Sequence, residues 1–159
     1  MKKNILSLVI LCLFTQILWA QKSAKAAYAE IGGPGLASVN YDMRFNKKND
    51  GLGWRAGVGG FSISDGFGDR ASIFTIPVGI NYLLGKDEKN YFEVGIGYTY
   101  ISANDNSGGS FNSSFGNLTI GYRRAPAESG FLFKAEITPV FGSGFFIPYF
   151  AGIGFGYKF

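Results

Sequence analysis

The chain has 159 residues, with 15 Lys and Arg against 11 Asp and Glu, and it contains no histidine. The lack of histidine excludes the histidine-dependent nucleophile systems and the usual zinc sites. Its 24 glycines, 16 phenylalanines and 9 tyrosines disfavour helix and favour sheet, so we expect one all-β domain.

The first twenty residues have the layout of a secretory signal peptide. Two lysines follow the first methionine, and an apolar stretch over residues 5–19 precedes Ala20. This stretch is shorter than the roughly 20 residues that a membrane-spanning helix needs. We predict cleavage after Ala20, which leaves residues 21–159 as the mature domain. Cleavage removes the sole cysteine, and the small net positive charge that remains gives no reason to expect nucleic acid as a partner.

The mature chain alternates with period two, which is typical of β-strands that present one apolar face. The strands predicted in chain order cover residues 25–33, 36–45, 52–59, 74–83, 92–100, 118–123, 131–141 and 152–159. The first of these is weakly apolar. It is included because the remaining seven would leave an odd number, whereas the strands of a single-chain bacterial barrel, the arrangement tested below, are even in number. Gly59 and Gly60 shift the alternation, so we predict a β-bulge that keeps Phe61 and Ile63 on the apolar face.

The lengths of the predicted connections give the barrel an orientation. The longest connection lies at the end of the barrel opposite the termini, where the connections cover residues 65–70, 102–114 and 142–144. Those on the same side as the termini are residues 46–51, 85–90 and 124–130. Because outer-membrane barrels have short periplasmic turns and longer extracellular loops, we predict that both termini face the periplasm.

Side-chain volume decides which face of the strands points outwards. The interior of an eight-stranded barrel is only just wide enough for side chains to fill it. One face of the predicted strands is too bulky for that space, since it carries Trp54, Tyr82, Tyr98, Tyr100, Tyr122, Phe133, Phe141, Tyr149, Phe155, Tyr157 and Phe159. The other face carries Gly57, Gly79, Gly95, Gly97, Gly121, Gly152, Gly154 and Gly156. The aromatic face must therefore point out, and such a surface is tolerated in lipid.

The ionisable residues of the strands share the glycine face. They are Glu30, Asp42, Arg44, Arg55, Glu93, Arg123, Lys134, Glu136 and Lys158. An ionised side chain that faces hydrocarbon near the bilayer midplane costs about 2–4 kcal/mol, whereas opposite charges inside a narrow lumen can pair. We therefore predict a charge network that fills the lumen. The alternative interpretation is a soluble sandwich whose charges are solvated.

The carboxyl terminus carries a family resemblance. The chain ends on Phe159, with Tyr157 two residues before it and Gly154 further upstream. This pattern resembles the assembly signal of the small eight-stranded outer-membrane barrel proteins of Gram-negative bacteria, OmpX-like in size. Gly152 departs from the pattern, since a polar residue is usual there. The resemblance implies an antiparallel up-and-down transmembrane β-barrel in the cell outer membrane, with lipid and the barrel-assembly machinery as partners, and we expect a monomer.

No set of residues in the sequence supports catalysis, a metal site or a cofactor. The spacing from Gly79 to Gly85 does not fit a phosphate-binding loop, and the glycine-rich segments precede no helix. Three hypotheses for function follow. The first is a non-enzymatic structural or interaction barrel with a charge-filled lumen and extracellular loops. The second is a narrow channel or a conduit for small hydrophobic molecules, and the third is a soluble periplasmic barrel that binds an apolar ligand.

Overall fold

The computed structural model describes residues 23–64, 70–105 and 109–159. The predicted signal peptide therefore lies outside the described residues, as does most of the predicted connection over residues 65–70. Ten strands form one antiparallel sheet. They are β1 (Lys25–Gly32), β2 (Ala37–Arg44), β3 (Gly51–Ser64), β4 (Arg70–Leu84), β5 (Asn90–Asp105), β6 (Ser110–Arg124), β7 (Gly130–Ile137), β8 (Val140–Gly142), β9 (Phe145–Ile147) and β10 (Ala151–Lys158).

The ten strands make eight wall strands that close into a ring. The sheet runs β5-β4-β3-β2-β1-β10-β7-β6, and the pairing of β5 with β6 closes it. The short strand β8 continues β7 along β6 in the same register, because Ile137 pairs with Ile120 and Val140 pairs with Asn117. The strands β9 and β10 together form the last wall strand, with a register offset of one residue between them. The prediction of an eight-stranded antiparallel up-and-down barrel is thus confirmed.

The wall contains a bulge, but in a different strand from the predicted one. Between the pair Ile137–Ala151 and the pair Val140–Ile147, three residues of the last wall strand oppose only two residues of its neighbour. Pro139 and Pro148 lie in this interval, where each lacks the N–H that a ladder requires. The extra residue is accommodated there as a β-bulge.

The bulge predicted at Gly59-Gly60 is wrong. The β3–β4 ladder keeps one register from the pair Gly51–Leu83 to the pair Ser64–Arg70. Phe61 and Ile63 therefore share the parity of the lumen residues rather than that of the apolar outer face. They are nevertheless 39% and 61% exposed, because β2 begins only at Ala37 and leaves this part of β3 above the barrel rim.

The four strands β3–β6 extend well beyond the short strands β1 and β2. The segment predicted as the longest loop, residues 102–114, is paired over residues 102–104 and 110–114, with Ser102 opposite Asn112 and Asn104 opposite Ser110, while residues 106–108 lie outside the described residues. That prediction is wrong because polar composition and a Gly-Gly turn signal do not prevent strand pairing once a hairpin is already aligned. The two hairpins β3–β4 and β5–β6 thus project from the end of the barrel opposite the termini.

The predicted short connections lie at the end that carries the termini, and one of them has a clear stabilising contact. In the β4–β5 turn, Asp87 Oδ1 accepts hydrogen bonds from the backbone N–H of Lys89 at 3.2 Å and of Asn90 at 2.7 Å. Hydrogen bonds from the Asn90 side chain and these N–H groups lower the pKa of Asp87 below its usual value. The turn is therefore stabilised above the ordinary carboxyl pKa, and that stabilisation is lost as the pH falls through the lowered value.

A belt of apolar side chains surrounds the barrel. Outward residues of the wall strands are exposed, for example Ile80, Ile96, Tyr98, Ile120 and Phe155, each between 45% and 53%. The aromatic residues among them contact one another near the end that carries the termini, with ring centroids 5.5–6.4 Å apart in the pairs Tyr41–Trp54, Tyr41–Phe159, Tyr122–Phe133, Phe131–Phe155 and Phe133–Phe155. Aromatic girdles of this kind lie at the interfaces of membrane barrels. Within the described ranges, no helix is long and apolar enough to cross a bilayer.

Glycine lets the first and last strands close the ring. A Cβ atom at Gly156 would overlap the carbonyl oxygen of Ala27 and come within 2.5 Å of the Tyr28 Cα on β1. We expect Gly156→Val to lower the free energy of unfolding by about 1–3 kcal/mol, because the overpacked side chain forces β1 and β10 apart. Urea unfolding of vesicle-embedded protein, followed by gel mobility without heating, measures this loss. Ala151→Val, which adds volume on the exposed side of the same strand, is the control; an equal loss there would contradict the interpretation.

Candidate functional site in the barrel lumen

The nine ionisable residues predicted to face the lumen are all buried, with exposed fractions of 1–7%. Alternation along each strand places them inside, and the glycines of the same parity leave room for their long side chains. Eight of them contact one another through eight ion pairs, and together these eight carry four acidic and four basic groups. The charges inside the barrel therefore balance.

Arg123 organises the half of the network nearer the termini. Its Nε lies 2.8 Å from Glu93 Oε2, and its Nη2 lies 2.9 Å from Glu93 Oε1 and 3.0 Å from Asp42 Oδ2. The amide of Asn81 donates to both carboxylates, at 2.8 Å to Asp42 and at 2.7 Å to Glu93. Arg44 completes the group by donating to Asp42 Oδ1 at 2.6 Å and to the side-chain oxygen of Asn81. This half is densely hydrogen-bonded, as a buried ionic group must be to offset its desolvation.

The other half of the network is looser. Lys134 Nζ lies 2.8 Å from Glu136 Oε2 and 3.4 Å from Glu30 Oε2, while Arg55 Nη1 is 3.7 Å from a carboxylate oxygen of each acid. Both carboxylates and the Lys134 ammonium lack a partner with hydrogen-bond geometry. Lys134 also lies 3.7 Å from Glu93 and so joins the two halves. The opposite charges of this half lie close enough to form ion pairs, but several of their oxygen and nitrogen atoms make no hydrogen bond.

Lys158 lies apart from the other eight residues. Its Nζ donates to the carbonyl oxygen of Pro126 at 3.1 Å and also to that of Ala127. These carbonyls belong to the β6–β7 turn, at the end of the barrel that carries the termini. The structure thus assigns Lys158 to the closure of this end rather than to the ionic network.

Tyr28 is a central lumen residue that the sequence analysis overlooked. Its side chain is 2% exposed, with Lys134 Nζ 4.9 Å and the Arg123 guanidinium carbon 5.8 Å from the ring centroid. A ring at these distances attracts both cations. Because Tyr28 has the same parity as Glu30 on β1, the alternation alone would have predicted that it faces the lumen. The volume argument, however, placed large aromatic residues outside.

The β1–β2 turn folds over the lumen at the end opposite the termini. Gly33, Pro34 and Gly35 are buried, and the carbonyls of Pro34 and Gly35 accept hydrogen bonds from two neighbouring wall strands, β4 and β5. Thr75 Oγ1 on β4 donates to Gly35 at 2.8 Å, and Thr99 Oγ1 on β5 donates to Pro34 at 2.9 Å. The turn therefore acts as a cap that is fastened across the barrel.

An apolar layer closes the lumen beneath the charges. Its members come from five segments of the wall and its turns, namely Ala26, Leu83, Tyr91, Ala125 and Leu132. Below it, the side-chain amide of Asn49 donates to the Pro126 carbonyl at 2.7 Å and ties two turns together. The cavity between this layer and the charges has a volume of about 10 Å³. A single water needs roughly this much space.

The described residues offer no site for a metal ion. Residues 23–64, 70–105 and 109–159 contain no group of three His, Cys, Asp or Glu side chains placed to bind one. Each lumen carboxylate instead faces an arginine or a lysine within 3.7 Å. The arrangement holds these charges in place against one another.

Comparisons with known proteins define the class of fold. No protein-family model matches the chain, and no curated protein matches it. The crystal structure of Ail, the attachment invasion locus protein of Yersinia pestis, is similar with a TM-score of 0.50 and 16% identity, covering 86% of this chain and 97% of that chain. A second structure of Ail, in complex with the heparin analogue sucrose octasulfate, has a TM-score of 0.44 at the same identity and coverage. The chain has the fold of a small eight-stranded outer-membrane β-barrel, together with the outward apolar belt that such a barrel requires.

The contacts of Arg123 predict a large effect of its removal. Arg123→Met leaves Asp42 and Glu93 buried without their main counter-ion, and breaking such a pair costs about 3–5 kcal/mol of folding free energy. Arg124→Met removes the next arginine, which is exposed at the end of the same strand, and we expect a change within about 0.5 kcal/mol. Urea titrations of both variants in vesicles measure the difference. Equal losses would show that the ionic network does not stabilise the barrel.

Proposed function

We propose that the protein is a non-enzymatic barrel of the outer membrane that seals its own lumen and presents its projecting hairpins to the medium as a structural or interaction surface. The observation that carries the proposal is the closure of the lumen at three levels. The capping turn lies at the outer end, the ionic network in the middle and the apolar layer at the end with the termini. A barrel filled in this way supports a static role better than transport.

The ionic network has a structural role in this proposal. Four acidic and four basic groups balance one another, and the ring of Tyr28 lies against two of the cations. Balanced charges in a sealed interior give the barrel a unique packing, which a lumen of uniform apolar residues would specify less well. The same contacts support a closed interior over the narrow channel that was the alternative hypothesis.

The projecting hairpins supply the surface for interaction. Their outer segments contain hydroxyl and amide contacts, such as Ser62 Oγ to Ser72 Oγ at 2.8 Å and Tyr100 Oη to Asn112 Oδ1 at 3.0 Å. In the sequence, residues 65–70 and 102–114 contain three aspartates and one arginine. Such a surface does not suit a polyanion, so a neutral or weakly basic protein or glycan is the class of partner proposed. We infer a monomer, since the ring of strands is complete within one chain.

Electrical recording tests the sealed lumen. In planar bilayers the refolded protein is expected to show no steady conductance, because the ionic network and both closures block the axis. Arg55→Ala removes one of the long side chains from the looser half of the network. This variant is also expected to show no steady conductance, since the capping turn and the apolar layer remain. Steady openings of the native protein that change with Arg55→Ala would instead establish the channel.

The terminal aromatic residues are proposed to be read by the barrel-assembly machinery. Phe159 is 55% exposed, and its backbone N–H donates to the Lys25 carbonyl at 3.0 Å, so its ring is presented on the outer face of the closing pair. We expect Phe159→Ala to reduce the amount of outer-membrane protein in cells about tenfold, as a recognition free energy of about 1.4 kcal/mol would give. Refolding into vesicles without the machinery is expected to remain unchanged.

The control for this prediction is Phe131→Ala. Phe131 is 60% exposed on the same face and at the same end of the barrel, but it lies at the start of β7. A general loss of lipid contact would affect both variants alike. If Phe131→Ala lowers the cellular level as much as Phe159→Ala does, the terminal residue is not a recognition signal.

A further inference from the structure

The barrel wall is uneven, and the step in it forms a concave surface. At the end of the barrel opposite the termini, β1 ends at Gly32 and β2 begins at Ala37, whereas β3 continues beyond them to Ser64. The last pair between β2 and β3 joins Ser38 to Gly59, so the edge of β3 beyond Gly59 has no neighbour on that side. A concavity with a volume of about 650 Å³ lies against this edge and the outer face of the short strands.

The concavity is apolar and opens sideways. Its walls are formed by Ile31, Val39, Val58, Phe61, Ile73 and Phe74. Ile31, Val39 and Val58 also belong to the outward belt, where they are 78%, 61% and 56% exposed. The surface is thus continuous with the face that contacts lipid.

Small residues keep the concavity open. Ala29 and Ala37 form its floor, at outward positions where other strands carry large side chains. Gly59 and Gly60 add no side chain to its lining, and a Cβ atom at Gly60 would overlap the carbonyl oxygen of Ile73 on β4. Gly60 also has φ of +145°, which L side chains rarely adopt. Bare backbone therefore forms one side of the concavity.

We propose that this concavity is a binding site for one acyl chain of a membrane lipid, held in a fixed position rather than exchanging as bulk lipid does. The site rests on the membrane placement proposed above. Its apolar floor suits the methylene chain, and Ser62, whose hydroxyl lies 2.8 Å from that of Ser72, belongs to its lining at the end nearer the projecting hairpins. Hydroxyl groups in that position suit the polar ester region of the lipid. The ionisable member of the lining, Glu30, is only 2% exposed and points into the lumen, so no charged head is required within the groove.

Native mass spectrometry tests the site with a defined probe. The protein is refolded in vesicles of dimyristoyl phosphatidylcholine, extracted in a mild detergent and examined for retained lipid. We expect the native protein to retain one lipid. Ala29→Trp fills the floor of the concavity, and the retained fraction is expected to fall about tenfold, the factor that a loss of about 1.4 kcal/mol in binding would give.

The matched control is Ala135→Trp, which places the same side chain on the outer face of β7, on a different part of the wall. This variant is expected to retain the lipid as the native protein does. Ala37→Phe fills the same floor from β2 and replaces Ala29→Trp if that variant does not fold. The site would be refuted if the native protein retained no lipid, or if filled and control variants retained equal amounts.

Membrane placement is checked separately in the same samples. Folding of each variant into the vesicles is scored by its gel mobility with and without heating. A native protein that folds into vesicles but retains no lipid refutes the acyl-chain site and leaves the proposed function standing. Failure of the native protein to enter vesicles refutes both.

Discussion

The narrow interior of an eight-stranded barrel is the constraint on which the rest of this structure depends. Every wall strand must place alternate side chains into a space that is only just wide enough to hold them. The chain meets this requirement with glycine and a few long ionic residues on the inner parity, and it places most of its aromatic rings outside, although Tyr28 and Tyr91 are buried inside. Because those rings are then exposed around the whole barrel, the protein needs lipid as its solvent. Lumen volume thus determines the environment in which the molecule is stable.

Ionic pairing follows from the same constraint. Charged side chains inside a sealed barrel lose their hydration, and they remain stable only when counter-ions and hydrogen bonds replace the lost water. The half of the lumen around Arg123 meets this condition closely, with carboxylate contacts of 2.8–3.0 Å. The half around Arg55 meets it loosely, at 3.7 Å, and lies beneath the capping turn. The proposed role of the barrel as a sealed support for its projecting hairpins depends on both halves.

Much of this architecture could be predicted from the sequence, because period-two alternation and side-chain volume are local properties. They predicted seven of the eight wall strands, the outward aromatic residues and the short connections near the termini, and the even strand number of bacterial barrels supplied the first strand. Three features depended on distant contacts and could not be predicted in that way. Residues 102–104 and 110–114 pair because the apolar parts of β5 and β6 already align the hairpin. The Lys158 ammonium donates to a carbonyl of the β6–β7 turn instead of joining the ion pairs. The bulge lies at residues 148–150, because prolines interrupt the hydrogen bonding of both strands there and three residues of one strand oppose two of the other.

The central claim is the sidedness of the strands, and the fluorescence of Trp54 tests it most directly. The chain has two tryptophans, and the other, Trp19, lies in the predicted signal peptide. Trp54 is half-buried on the outer face, with its ring centroid 5.9 Å from that of Tyr41. In vesicles, its emission should be quenched strongly by phospholipids with brominated acyl chains and only weakly by aqueous iodide. Strong quenching by iodide with no effect of the brominated lipid would place the aromatic face away from lipid and contradict the account.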